Sequence, residues 1–177
     1  MKKWLLSIGM LVAMATPLWA GEGAVQSEKK VASEEFAKIQ SLAGRWEGMS
    51  KSSHEAPQVV SAEYRVTSGG SAVVEALFAG TPHEMVSVYH DEGGKPIMTH
   101  YCMLGNQPKL ELIDATPNSL KFEMTSDSHI ALKNEMHMHS LIIEWKSPDE
   151  ILQTWTAFDP SGNPAPSTVI SLKKIPA

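Results

Sequence analysis

The sequence predicts an all-β fold: a single antiparallel up-and-down β-barrel of about ten strands with a short N-terminal helix. Three observations carry this. From Gly44 onward the apolar residues recur with period two, the spacing of a half-buried strand. Turn signals rich in Gly, Pro, Asn and Asp follow one another at short spacing. A single cysteine, Cys102, excludes an internal disulfide, so a hydrophobic core must hold the fold.

The elements follow in order. Residues 1–20 read as a signal peptide: Lys2 and Lys3 form a basic start, Trp4 to Val12 an apolar stretch, and Ala13 to Ala20 a small-residue end. Cleavage is expected after Ala20, giving an exported chain, periplasmic or secreted; a retained N-terminal anchor is the competing reading. No other segment is apolar enough to span a bilayer. Residues 21–33 are small and polar, a flexible leader. Without Lys2 and Lys3, 13 basic residues face 20 acidic ones, a net charge of −7. That balance argues against nucleic acid and anionic membrane surfaces as partners.

Residues 34–177 form the barrel domain. Ser33 followed by Glu34 and Glu35 is a helix start, Phe36 and Ile39 mark its apolar side, and Gly44 stops it. Strands are expected near 45–53, 58–67, 71–79, 84–91, 96–104, 109–115, 119–125, 135–146, 151–158 and 167–175. In "QVVSAEYRVT", Val60, Ala62, Tyr64 and Val66 share one face; in "SLKFEMT", Leu120, Phe122 and Met124 do. At "TSGGS" a three-residue loop, Ser68-Gly69-Gly70, keeps Glu75 outside, whereas a two-residue loop places it opposite Tyr64 on the buried face. An unpaired buried carboxylate is costly, so the three-residue loop is expected. At "DEGGK", pairing Glu92 with Lys95 sets Val86 opposite Tyr101 and Ser87 opposite His100. The face holding Val86, Val88, His90, Ile97, Thr99 and Tyr101 is richer in β-branched residues and is expected inside. His100 and Cys102 then face out. At "KSPDEI", pairing Lys146 with Ile151 puts Trp155 outside.

The stretch Leu42-Ala43-Gly44-Arg45-Trp46-Glu47-Gly48, directly after a short helix, resembles the Gly-x-Trp opening of the calycins, the superfamily of lipocalins, fatty-acid-binding proteins and related barrels. The resemblance implies that Trp46 closes the barrel bottom and that a basic residue of the last strand, Lys173 or Lys174 here, packs across it. The chain departs from the eight-stranded lipocalins, has no helix after the barrel, and joins its first two strands by "HEAPQ", too short for a helical lid. A lidless ten-stranded barrel like that of the nitrobindin-type haem proteins fits the strand count better. The segment "GTPHEMVSVYHDEGGKPIMTHYCMLGNQP" also resembles a group of exported bacterial β-barrel proteins of unestablished activity.

No complete catalytic signature appears. In "EMHMH" a regular strand would point His137 and His139 the same way, toward the interior, a geometry that suits a metal ion; haem or copper is the cofactor reading, and a polar barrel wall the alternative. His100 and Cys102 share a face, but the ordinary reading of Cys102 is a quiet, mostly buried thiol. An enzyme using His100 or His90 as acid/base remains a rival. Glu63, Glu75, Glu123 and Glu144 are read as outward, so no inward carboxylate pair supports glycosidase chemistry. The expected function is binding of a small hydrophobic or amphipathic molecule in the barrel. Trp46, Tyr64, Phe122 and Met124 supply apolar wall, and His90, Tyr101, His137 and His139 supply polar handles. A filled barrel serving as a structural or interaction module is the alternative.

Overall fold

The computed structural model describes residues 31–53, 56–130 and 134–176. The expected signal peptide, the leader up to residue 30, and His54 and Glu55 of the first inter-strand link lie outside the described residues.

One helix, α1 (Glu34–Ser41), precedes ten strands: β1 (Gly44–Lys51), β2 (Gln58–Thr67), β3 (Ala72–Leu77), β4 (Met85–Glu92), β5 (Lys95–Tyr101), β6 (Lys109–Thr116), β7 (Ser119–Met124), β8 (His137–Ser147), β9 (Glu150–Phe158) and β10 (Thr168–Lys174). Each strand pairs antiparallel with its sequence neighbour, and β10 closes on β1. Closure leaves no free sheet edge, which a ten-stranded meander would otherwise expose twice.

The helix forms where the sequence indicates. Ser33 caps it, its Oγ accepting from the Phe36 backbone N–H at 3.1 Å, while the Ser33 N–H donates to Asp91 at 2.8 Å. Phe36, Ile39 and Leu42 are buried against the barrel. Each contributes about 1.5–3 kcal/mol by leaving water. Polar contacts fix the helix across one barrel end: Lys38 Nζ donates to the Thr116 carbonyl at 3.0 Å, and Gln40 Nε2 to that of Gly70 at 2.7 Å. Trp46, fully buried, donates its indole N–H to the Leu42 carbonyl at 2.8 Å, and the Lys174 ammonium sits 5.4 Å from its ring centroid. The tryptophan thus closes the helical end, and of the two lysines considered it is Lys174 that crosses it.

The interior face is continuous around the barrel. It carries Trp46; Val60, Ala62 and Tyr64; Val73, Glu75 and Leu77; Ser87 and Tyr89; Met98 and His100; Leu110 and Leu112; Leu120 and Phe122; Leu141 and Ile143; Ile151, Gln153 and Trp155; Ile170 and Leu172.

Two expected registers change, and one hairpin turns its other face inward. First, Thr67 pairs with Ala72 across a 3-10 turn at Ser68–Gly70, so Tyr64 faces Glu75 and the carboxylate is buried. The expectation of an outward Glu75 fails because the carboxylate has partners. Second, the β4–β5 pairing is as expected, Val86 with Tyr101 and Ser87 with His100, but the face is inverted. His100 is 1% exposed and Tyr101 50% exposed, and the His90 side chain is 44% exposed beside Glu92. Large aromatic and thioether side chains fill this wall, where the β-branched residues were expected. Cys102 is half-buried. Third, β8 carries two bulges against β9. One lies between Trp145 and Ser147 and moves Trp155 opposite Leu141, into the interior. The other lies between Met138 and Ser140, so Met138 pairs with Ala157 in phase with Gln153 and Trp155. The alternation that placed both His137 and His139 inward is thereby broken.

The β1–β10 seam imposes a close backbone approach. A Cβ added at Gly48 would lie 1.7 Å from the Ser171 carbonyl oxygen, a main-chain atom that cannot swing aside. Gly48→Ala should therefore force the closing strands apart and lower stability by about 1–3 kcal/mol, read as a lower urea midpoint at unchanged m-value. An unchanged midpoint would mean the seam is looser than described.

Candidate functional site

The interior holds a polar cluster built by five strands. β3 supplies Glu75, β2 Tyr64, β4 Ser87 and Tyr89, β5 His100, and β9 Gln153 and Trp155. Ser87, Tyr89 and Glu75 come together because β3 and β4 are in register with Glu75 opposite Ser87. Gln153 reaches them from the far side of the barrel.

Glu75 is fully buried. Tyr64 Oη donates to its Oε1 and Tyr89 Oη to its Oε2, each at 2.7 Å. Gln153 Nε2 donates to Oε1 and to the Tyr64 hydroxyl, and the Ser87 hydroxyl also hydrogen-bonds the carboxyl group. The Gln153 carbonyl oxygen accepts from the Trp155 indole N–H at 3.0 Å. Since an indole nitrogen can only donate, this contact fixes which end of the amide faces Glu75. Burial pushes the Glu75 pKa up, and the hydrogen bonds from Tyr64, Gln153, Tyr89 and Ser87 oppose that rise. Both tyrosines are pushed well above their ordinary range, by burial first and by the neighbouring carboxylate second. They serve as neutral donors.

His100 ends the network. Its Nδ1 lies 3.0 Å from Ser87 Oγ, its ring centroid is 4.7 Å from that of Trp155, and its Nε2 is buried without a partner among the described residues. The tautomer follows from the chain of donors. The neutral ring carries one proton. Where Ser87 gives its own proton to Glu75, it accepts from His100 Nδ1–H and Nε2 is a bare lone pair. Burial lowers the His100 pKa from 6.5 to about 4, so the ring is neutral at physiological pH.

The residues expected to form the site are distributed differently. Trp46 and Tyr64 are buried, Trp46 in the end plug and Tyr64 in the polar cluster. Phe122 is fully buried with its ring edge on Tyr89, centroids 5.9 Å apart, and Met124 is half-buried against the core. His90 and Tyr101 lie outside. His137 is fully buried, and its Nδ1 donates to the Glu135 carbonyl at 2.8 Å. His139 stacks on Phe158 with centroids 3.7 Å apart. Its pKa is lowered by burial and then by His137, while Glu123 opposes the shift. Cys102 has its thiol pKa raised by burial, the opposite of an activated nucleophile. Glu75, Ser87, Gln153 and Trp155 were missed. Their signal was a polar residue recurring on an apolar face, visible once the bulge and the loop length are known.

Two surface depressions, of 330 and 770 Å³, flank the helical end, the first beside Lys38 and Trp145, the second beside Arg45 and Lys174. Neither is lined by a member of the interior cluster.

No protein-family model and no curated protein matches the chain. Among solved structures it is similar to a protein of unknown function from the DUF3598 family of Nostoc punctiforme, with 13% identity over 77% of this chain and a TM-score of 0.52. The chain spans about half of that protein, 49% of its length. An S-type phycobiliprotein lyase from Guillardia theta matches at 8% identity over 84% of this chain and 95% of its own, TM-score 0.49. A redesigned β-barrel bound to DFHBI matches at 14% identity over 77% of this chain and 98% of its own, TM-score 0.39. The likeness to the first of these is one of fold alone.

Two outcomes follow from the cluster. Glu75→Ala leaves two tyrosine hydroxyls and an amide facing a void and should cost about 3–5 kcal/mol in denaturant unfolding. Glu75→Gln keeps the shape and should cost less; equal loss would mean that packing, not pairing, dominates. His100 has a folded pKa below its unfolded value, so the stability it confers is present above pH 6.5 and is lost as pH falls toward about 4. The stability difference between wild type and His100→Gln should therefore rise by about 3 kcal/mol across that window and then level off. A flat difference would place the ring in water.

Proposed function

We propose that the protein is an exported binding barrel for a small, largely apolar molecule bearing one hydrogen-bond donor. The observation that carries this reading is His100 Nε2, a buried ring nitrogen with no partner among the described residues, which acts as an acceptor when Nδ1–H donates to Ser87. An unsatisfied buried polar atom costs about 1–3 kcal/mol, and a guest hydroxyl or N–H would remove that cost. Trp155 supplies an aromatic face beside it. Entry is proposed from the end opposite α1, where half-buried Phe78, Met124 and Met138 pack against the core. Unbranched methionines can change rotamer to admit a guest. The polar handle assigned to His90 and Tyr101 thus moves to His100.

Export belongs to the same proposal and rests on the residue pattern of positions 1–20. Processing after Ala20, read by N-terminal sequencing of the protein from a cell-fractionation experiment, would support it; a full-length cytoplasmic chain would not.

A second reading, a filled barrel acting as a structural module, draws support from the packing. Trp46, Tyr89, Met98, Leu110, Phe122, Leu141 and Gln153 are all at 0% exposure, so a guest must displace side chains.

A pair of probes separates the two readings. 2-Naphthol carries a donor that 2-methoxynaphthalene lacks. On the binding reading, 2-naphthol quenches tryptophan fluorescence saturably and binds about tenfold tighter, roughly 1.4 kcal/mol, and His100→Phe abolishes the preference. Absence of saturable binding by either probe favours the filled barrel.

A further inference from the structure

We infer a second site, independent of the interior: a divalent first-row transition-metal ion held between His137 Nε2 and His139 Nδ1 at the start of β8.

The geometry is that of a chelating pair. These two nitrogens lie 3.3 Å apart, with the ring centroids 5.5 Å apart. Two imidazole nitrogens on one tetrahedral ion, each about 2.0–2.1 Å from it, lie about 3.3–3.4 Å apart. The observed spacing therefore matches the separation that two ligating nitrogens need.

The outer nitrogens are already engaged as they would be in a metal site. His137 Nδ1–H donates to the Glu135 carbonyl at 2.8 Å, which leaves Nε2 as the lone-pair nitrogen. His139 Nε2 lies 3.7 Å from Glu123 Oε1, so a proton there faces a carboxylate when Nδ1 binds the ion. Metal-bound histidines ordinarily show this arrangement, with the distal N–H directed at a carbonyl or carboxylate. The bulge between Met138 and Ser140 produces the convergence, and the Phe158 ring stacked on His139 holds it.

A separate observation points the same way. Asn106, 7% exposed, donates its Nδ2 to Glu135 Oε1 and to the Met136 carbonyl, both at 2.8 Å. Those two bonds fix the amide, and its Oδ1 is left buried without a partner beside the segment that carries His137. A bound water is the kind of donor that oxygen lacks. Among the described residues no three His, Cys, Asp or Glu side chains converge, so the protein supplies two ligands and leaves the other positions to water or an external ligand. Imidazole donors select ions of the zinc and copper group over calcium or magnesium.

The test is calorimetric titration of zinc chloride into the full processed chain carrying Cys102→Ser, which removes the free thiol as a competing ligand. One ion should bind per chain in the micromolar range, at least tenfold more weakly in His139→Gln, and unchanged in His90→Gln. In the wild type, zinc should shift the imidazole resonances of His137 and His139 together, a readout that survives if the variant folds poorly. Absence of saturable binding up to millimolar zinc, undiminished binding in His139→Gln, or shifts confined to other histidines would overturn the inference.

Discussion

The barrel is organised around one constraint: a carboxylate at its centre must be fully hydrogen-bonded. Among the described residues Glu75 has no cationic partner, and a buried carboxyl group left without hydrogen bonds is costly to a fold. Four donors from three other strands answer it: Tyr64 from β2, Ser87 and Tyr89 from β4, and Gln153 from β9. Because these donors come from opposite walls, they define strand register as well as stability. A slip of one residue in β3 would turn Glu75 to solvent and bring Val74 or Ala76 against the hydroxyls.

The same constraint sets the chemistry of the interior. Once Ser87 has given its proton to Glu75, the tautomer of His100 is decided, and the unsatisfied atom becomes an acceptor rather than a donor. The interior is therefore asymmetric along its axis. Toward α1 it is closed by Trp46, Lys174 and the helix; near the other end of β5 lies the His100 ring, beside Ser87 and Trp155. At that end the β8 bulge also brings His137 and His139 together, apart from the interior row of Met138 and Trp155.

Most of the architecture was legible in the chain. Alternation and turn chemistry located all ten strands to within a few residues, because a half-buried strand writes its period directly into the sequence. The Gly44-x-Trp46 opening placed the end plug. Side chains at the site were harder to place, for two physical reasons. The bulges near Lys146 and His139 each shift phase by one residue, and alternation cannot reveal an inserted residue; Gln153 and Trp155 moved from outer to inner wall on that account. The other reason is that polar residues were assumed to avoid the interior. That assumption sent Glu75 outward, although a carboxylate that meets two tyrosines and a glutamine is well satisfied; β-branched content sent His100 outward and Tyr101 inward, although aromatic and thioether side chains fill that wall. Burial rules apply to unpaired groups, and pairing across five strands cannot be read from any one of them.

The claim on which this account turns is that His100 offers a bare acceptor inside the barrel. Nitrogen-15 spectroscopy of the His100 ring tests it directly. The account predicts a neutral ring at pH 7 with Nδ1 protonated and hydrogen-bonded, and Nε2 unprotonated with the shift of a free lone pair. A proton on Nε2, or a ring in fast exchange between tautomers, would contradict it.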